Sequence, residues 1–371
     1  MQPILKKIKP IFPFLLTLFL GSGLLLFPEQ IKRTLYESIL YSLKILIPTL
    51  FPFIALSSYA VHSGGADFAG KILGAMTKYV FRLPRICTST LLLGLIGGYP
   101  SGAAGISLLL KQKKITAKQA EQMLLFCINP GVAFVISFVG AGLLQNGKTG
   151  LLLFISISIS SLILGILIGF FHKIPQNEPD DTSLKTDNSN AIIACANDAS
   201  KAMLKMCSAI LLFSACYSLL RGFGIAGFFS SFIAHGLHLS QSHSSALLAM
   251  LFEIASGVEK AVISQSPSLL FAFSLAFAGF CVHFQIFSFF DVFPMSKIKF
   301  ILFRFLHGFL SAFLFSRLQR FFPQTQTVFY NTGHSIQSGG LNMSVTAGFF
   351  MLLMCIAFLL LSSKRQLREK D

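Results

Sequence analysis

Apolar stretches long enough to cross a membrane as helices alternate with short polar segments along the whole chain. This pattern predicts an all-α polytopic membrane protein with about eight transmembrane helices. Pro48 and Pro52 predict a kink in the second span, and basic and apolar residues interleaved from Phe68 to Arg85 predict an amphipathic interfacial helix. The predicted spans cover residues 11–27, 35–61, 120–144, 149–171, 203–220, 269–290, 300–315 and 345–361.

Three of the apolar segments contain residues that interrupt a helix. The stretch from Ser89 to Leu110 contains Gly97-Gly98-Tyr99-Pro100-Ser101-Gly102, which cannot continue a helix. The third predicted span is broken by Asn129-Pro130-Gly131, and the short stretch from Ala246 to Ser264 is interrupted near Glu253. Irregular backbone at membrane depth is tolerated only where it is buried in protein or lines a cavity, and in transporters solutes bind at such places.

The distribution of Lys and Arg indicates how the interrupted segments meet the membrane. If 87–110 and 246–264 are re-entrant hairpins and the N-terminus is cytoplasmic, only six of the 30 basic residues fall outside. A full crossing by 87–110 would place its two flanking basic clusters on opposite faces, against the positive-inside rule. The hairpin topology predicts both termini in the cytoplasm. The cytoplasmic basic clusters are then residues 6–9, 71–85, 111–118, 297–304 and 364–370.

This topology makes the two halves of the chain inverted copies, each with a kinked span, a re-entrant hairpin and a broken span. The sequence contains a faint repeat between the two halves. Leu92-Leu93 matches Leu247-Leu248, and Ser101-Gly102 matches Ser256-Gly257 at the same offset. Inverted repeats with broken helices are typical of secondary transporters. The predicted organisation is an N-terminal span and short loop (1–33), a first repeat (34–171), a cytoplasmic linker (172–192), a second repeat (193–316), and an external loop, last span and basic tail (317–371).

Composition agrees with this pattern and excludes several classes of protein. Hydrophobic residues make up 54% and charged residues 12% of the chain. The net charge of +16 lies mainly in predicted cytoplasmic loops, so we expect contact with membrane lipid and not with nucleic acid. The sequence has no nucleotide-binding loop and no spacing typical of a hydrolase or metal site, so we expect no cofactor, no metal and no enzymatic activity.

Polar side chains within apolar segments are costly and are therefore functional candidates. The Glu253 carboxylate could bind a solute or a coupling proton, or could bond backbone N–H groups at the hairpin tip. Asn129 could hold a ligand or cap the following half-helix. His283 and Gln285 lie within a predicted span, where a lone histidine is often a core residue. The predicted solute site comprises Gly98, Tyr99, Ser101, Gly102, Asn129, Glu253, Ser256, Gly257, His283 and Gln285.

Four short motifs together resemble the YlbJ-type sporulation integral membrane proteins, part of the nucleoside-recognition or Gate superfamily, which also includes concentrative nucleoside transporters. Two departures concern Pro130, where the resemblance implies a second Asn, and Ala255, where it implies a hydroxyl residue. The motifs are Gly98-Tyr99-Pro100-Ser101-Gly102-Ala103, Asn129-Pro130-Gly131, Glu253-Ile254-x-x-Gly257 and Val282-His283-x-Gln285, in a region of resemblance from about Tyr36 to Leu361.

The resemblance implies a multi-pass cytoplasmic-membrane protein of a spore-forming bacterium, in the forespore membrane, that moves dipicolinate during cortex formation. Together with the residues, it favours a transporter or facilitator of a small polar, anionic solute, coupled to a proton or another cation. A non-transporting scaffold or gate subunit for envelope or spore-cortex assembly, and a nucleoside-type transporter, stay open as alternatives. The sequence leaves homo-oligomerisation open.

Overall fold

The computed structural model describes residues 11–62, 65–172 and 191–322 of the chain. Within these ranges the protein is helical, with fifteen α-helices, two π-helical segments and no strand. The predicted all-α fold is confirmed. The α-helices are α1 (Ile11–Leu26), α2 (Pro28–Tyr41), α3 (Ile47–His62), α4 (Gly65–Tyr79), α5 (Cys87–Ile96), α6 (Tyr99–Lys111), α7 (Ala117–Phe126), α8 (Gly147–Phe170), α9 (Ala191–Gly222), α10 (Ile225–Leu237), α11 (Gln241–Phe252), α12 (Ile254–Ile263), α13 (Ser268–Phe277), α14 (Gly279–Phe287) and α15 (Lys297–Phe321).

Four helical stretches in the described part of the chain are long and apolar enough to cross a membrane. Large apolar side chains point outwards from the helices, among them Leu25, Phe228 and Phe309, each more than half exposed. Such a surface is expected of a protein surrounded by lipid. The membrane-spanning candidates are residues 147–170, 192–222, 268–287 and 297–321.

The second span changes helix type at the place where a kink was predicted. A π-helical segment, Ser42–Leu46, joins α2 to α3. Proline lacks the N–H group that would bond to the carbonyl four residues earlier. Pro48 therefore frees the carbonyl of Lys44 within this segment, and Pro52 lies inside α3. Leu46, at the end of the π-helical segment, and Leu50, in α3, are both buried.

Each half of the chain contains a pair of short helices that fold back on one another. In the first hairpin, α5 and α6 meet at Gly97-Gly98, and a side-chain carbon at Gly102 would lie 3.1 Å from the Cα atom of Gly94. In the second hairpin, formed by α11 and α12, a side-chain carbon at Gly257 would lie 2.7 Å from the carbonyl carbon of Ala249. Gly94 corresponds to Ala249, and Gly102 to Gly257, at the offset of the sequence repeat.

Each half also contains a broken helix. Residues 127–132 separate α7 from the π-helix Ala133–Leu143 and are called the first break. Ala278 and Gly279, with φ of +82° and +69°, separate α13 from α14 and are called the second break. Part of the predicted linker (173–190) and the predicted last span (345–361) lie outside the described residues.

Candidate functional site

The tip of the first hairpin lies directly against the first break. Gly98 has a φ of +98°, a conformation that favours glycine. A side-chain carbon at Gly98 would lie 3.1 Å from the backbone nitrogen of Gly131, and one at Gly94 would lie 2.2 Å from the carbonyl oxygen of Cys127. Because side chains at these glycines would meet backbone atoms, the hairpin and the broken helix can approach this closely only at glycine.

Tyr99 begins α6 and joins the first hairpin to the second half of the chain. Its ring is buried, and its hydroxyl donates a hydrogen bond of 2.5 Å to the carbonyl oxygen of Leu275, near the end of α13. The helix that starts at Tyr99 receives no side-chain cap. The positive end of its dipole is therefore not compensated by a side chain, but Pro100 has no N–H group and the Ser101 N–H already donates to the Gly98 carbonyl oxygen. Ser101, in the same turn, donates to the Gly97 carbonyl oxygen at 3.3 Å.

Asn129 holds the first break together and lies away from the tip surfaces. Its Nδ2 atom donates to the carbonyl oxygen of Phe126 and to Oγ of Ser161, both at 3.0 Å, and the Ser161 hydroxyl donates to the same carbonyl. Asn129 therefore satisfies the carbonyl end of α7, and not the start of the following half-helix. Its Oδ1 atom is buried without a hydrogen-bond partner in the described part of the chain.

Glu253 lies between α11 and α12, and only 3% of its surface is exposed. Its Oε1 atom accepts a hydrogen bond of 2.8 Å from the Ala255 N–H, and Oε2 accepts one of 2.6 Å from the Ser256 N–H. The carboxylate thus caps the start of α12, as the structural alternative for this residue predicted. Gly257 lies one turn on, where its lack of a side chain lets α12 cross Met250 closely.

The second break is stabilised by side chains from three elements. The His283 Nε2 atom lies 2.8 Å from the Phe277 carbonyl oxygen, and its ring packs against Phe277 and Phe300. Arg304 of α15 donates to the carbonyl oxygens of Ala276 and Phe277. With Tyr99 on the Leu275 carbonyl, three successive carbonyl groups at the end of α13 have side-chain donors.

Arg304 corrects one prediction from the sequence. Its place near Lys297 and Lys299 put it in a cytoplasmic basic cluster, but the structure buries it completely within α15. It compensates the negative end of the α13 dipole, a role normally filled by a cation or a cap. Nη1 of Arg304 has no hydrogen-bond partner among the described residues. The only indication of this role in the sequence was the position of Arg304, seven residues after the start of an apolar helix.

A small cavity of about 50 Å³ lies where the two hairpin tips, the first break and the π-helical segment before α3 meet. We call it the first cavity. Leu50, Phe134, Met206 and Ile210 contribute apolar wall, and most of the lining is apolar. Of the predicted solute-site residues, the structure brings four to this cavity, namely Gly98, Tyr99, Glu253 and Gln285.

The other predicted residues do not line the first cavity. Ser101, Gly102 and Gly257 lie behind the hairpin tips, and Asn129 and His283 support the two breaks. Ser256 faces a different cavity on the far side of Glu253. The aliphatic residues of the wall could not be identified from the sequence, because they are indistinguishable there from residues that face lipid.

Comparison with known proteins found a relative among sporulation membrane proteins. No family model matches the chain, and no solved structure matches it. The chain is 25% identical over 271 residues to the sporulation integral membrane protein YlbJ of Bacillus subtilis (strain 168), a match that covers 66% of each protein. The aligned part therefore spans just under two thirds of that relative. The resemblance predicted from the motifs is confirmed, and this similarity supports assignment of the chain to the YlbJ-type sporulation integral membrane proteins.

Proposed function

We propose that this protein is a secondary transporter or facilitator that moves a small solute through the first cavity. The observation that carries the proposal is an interior cavity lined by both hairpin tips and by the first break. Sites for small organic molecules measure about 300–1,000 Å³, so the hairpin tips would have to move apart to admit a solute. Irregular backbone at the centre of a membrane protein is typical of solute sites in transporters.

The walls of the cavity favour a solute with a flat apolar body and an anionic group. Leu50, Phe134 and Ile210 offer apolar surface for the body. In the same wall, Gly97, Gly98 and Tyr99 present the uncapped start of α6, which favours a negative charge. Glu253 and Gln285 also line the cavity and offer polar atoms to a second polar group. An aromatic carboxylate such as dipicolinate combines these features.

A role in sporulation is supported by the relative and not by the cavity. The relative is described as a sporulation integral membrane protein. We propose that the present chain acts in the same process, where an aromatic dicarboxylate would be a solute of suitable chemistry for the cavity.

The test is uptake by purified protein reconstituted in liposomes, with labelled dipicolinate and a labelled nucleoside as probes. Ile210→Trp should obstruct the cavity and reduce dipicolinate uptake by at least about tenfold, the effect of one badly fitting group in an apolar pocket. Leu204→Trp, on the exposed side of the same helix, should transport normally. Nucleoside uptake in place of dipicolinate would favour the nucleoside-type alternative. Absence of flux for both probes would leave the scaffold or gate-subunit alternative.

A further inference from the structure

A second cavity of about 80 Å³ is also lined by Glu253 and differs in character from the first, because a larger share of its lining is polar. It lies between α2, α9, α11 and α12. Ser38, Ser214, Glu259 and Lys260 contribute polar atoms to its wall, and Glu253 is shared with the first cavity. One residue therefore forms part of the wall of both cavities, of which the second is the more polar.

The second cavity contains a buried group that needs a partner. Ser214 is 5% exposed, and its Oγ atom has no hydrogen-bond partner in the described part of the chain. Buried hydroxyl groups are normally satisfied by protein or by water. The cavity is large enough for several water molecules and has enough polar atoms to hold them. These observations favour a hydrated cavity, which would bring water to Glu253.

The carboxylates of this cavity form a series of decreasing exposure. Glu37 leaves 61% of its side chain exposed, Glu259 is half-buried, and Glu253 is buried. The Lys260 ammonium group lies 4.8 Å above the ring of Tyr217. The titratable or charged groups around Glu253 are Glu37 and Tyr41 on α2, Tyr217 and Arg221 on α9, Glu259 and Lys260 on α12, and Cys281 on α14.

We propose that the second cavity is a proton-entry vestibule, and that protons reaching Glu253 through it are coupled to solute movement in the first cavity. This inference rests on the proposed transport function. A hydronium ion in the vestibule transfers its proton to a free lone pair on the Glu253 carboxylate, which leaves a water molecule and a neutral carboxyl group. The proton is released, with the charge restored, when Glu253 next meets water on the opposite side of the membrane.

Protonation of Glu253 has a direct structural consequence. The Ala255 and Ser256 N–H groups donate to the carboxylate, and such charge-assisted bonds are about twice as strong as those to a neutral group. Neutral Glu253 holds the start of α12 less firmly, and Ile254 and Ala255 at this point line the first cavity. The solute and the proton therefore act on the same hairpin tip.

The arrangement suits a proton better than a metal ion. Both Glu253 oxygens already accept backbone hydrogen bonds, and Lys260 adds a positive charge to the same cavity. Ca²⁺ and similar hard cations need several oxygen ligands, whereas a proton needs one lone pair.

The first test measures dipicolinate uptake into liposomes driven by a pH gradient, together with exchange of dipicolinate at equal pH. In Glu253→Gln, the ratio of gradient-driven accumulation to exchange should fall by at least about fivefold, a typical coupling effect, whatever the rate of exchange itself. Glu259→Gln should slow the driven uptake and spare exchange. Glu29→Gln provides the control, because Glu29 is a highly exposed carboxylate on α2 that does not line the cavity.

The outcomes separate the two proposals. Uptake driven by a sodium gradient and indifferent to pH, or driven uptake unchanged in Glu253→Gln, would overturn the vestibule. Absence of any dipicolinate or nucleoside flux would overturn the transport function instead. Infrared spectra of the protein give a readout that needs no flux, since a protonated-carboxyl band that titrates in the wild type should vanish in Glu253→Gln. A spectrum without that band contradicts the vestibule even if transport is absent.

Discussion

The Tyr99 hydroxyl donates a 2.5 Å hydrogen bond to the carbonyl oxygen of Leu275, and so joins the first hairpin tip to the broken helix of the other half. Both groups are buried. Tyr99→Phe would leave the Leu275 carbonyl without this donor, at a cost of about 1–3 kcal/mol. We expect a lower thermal midpoint for the purified protein in detergent. Tyr36→Phe, at an exposed tyrosine, should leave the midpoint unchanged; an equal fall in both variants would contradict the assignment.

Arg304 should be indispensable to the second break. Arg304→Met removes donors from the Ala276 and Phe277 carbonyl oxygens, and hydrogen bonds to charged groups contribute about 1.5–3 kcal/mol each. Part of this loss is offset because a buried charge also disappears. Denaturation in detergent should show clear destabilisation. Arg317→Met, at an exposed arginine of the same helix, is the matched control, and similar stability of the two variants would refute the role.

Gly98 should tolerate no side chain. Its φ of +98° is unfavourable for alanine, and the added carbon would press on Gly131. Gly98→Ala is expected to destabilise the protein by about 1–3 kcal/mol. Gly227→Ala, in the interior of α10 with open space around it, should instead be neutral or stabilising by up to about 1 kcal/mol. Thermal melts of the two variants in the same detergent measure the two changes in stability. An equal change in both variants would contradict the prediction.

Asn129 and Ser161 should act as one unit. Both donate to the Phe126 carbonyl oxygen, and the amide also donates to the serine hydroxyl. In a double-mutant cycle of Asn129→Ala and Ser161→Ala, the two effects on stability should fail to add by about 0.5–3 kcal/mol. Strict additivity would show that the two side chains contribute independently.

The re-entrant topology of the first hairpin can be tested by comparing intact cells with inside-out membrane vesicles. Lys78 at the end of α4 and Lys113 after α6 flank this hairpin. Cysteines introduced at the two positions should react with a membrane-impermeant maleimide from the same, cytoplasmic, face. Labelling from opposite faces would mean that the segment crosses the membrane completely.

Sequence reasoning found the features that depend on unusual residues in apolar surroundings. Gly and Pro in close succession located the first hairpin tip and the first break, and a lone carboxylate located the second tip at Glu253. The second break was not located, because Ala278-Gly279 contains a single glycine and no proline. Its conformation depends on His283, which follows the Phe277 carbonyl by six residues, and on Arg304, which lies 27 and 28 residues after the two carbonyl groups that it binds.

The functional roles of several candidates were harder to predict than their positions. Asn129 and His283 were correctly identified as polar groups in the interior, but the structure uses them to satisfy carbonyl groups at the breaks. A broken helix creates several unpaired backbone groups, and nearby polar side chains are needed to bond them. A polar residue next to a break can therefore either bind a ligand or bond a freed backbone group, and only the three-dimensional structure distinguishes the two roles.

The two hairpin tips differ in the capping of the helices that start there, which makes the electrostatic environment of the first cavity asymmetric. The start of α12 is already neutralised by the protein's own carboxylate, whereas the start of α6 has no side-chain cap. Although the halves repeat the same path, their electrical contributions are unequal, and a solute with one charged end is favoured in a single orientation. Under the transport proposal, positional isomers of an aromatic carboxylate should be distinguished by where the charge sits, and not by how much charge they carry.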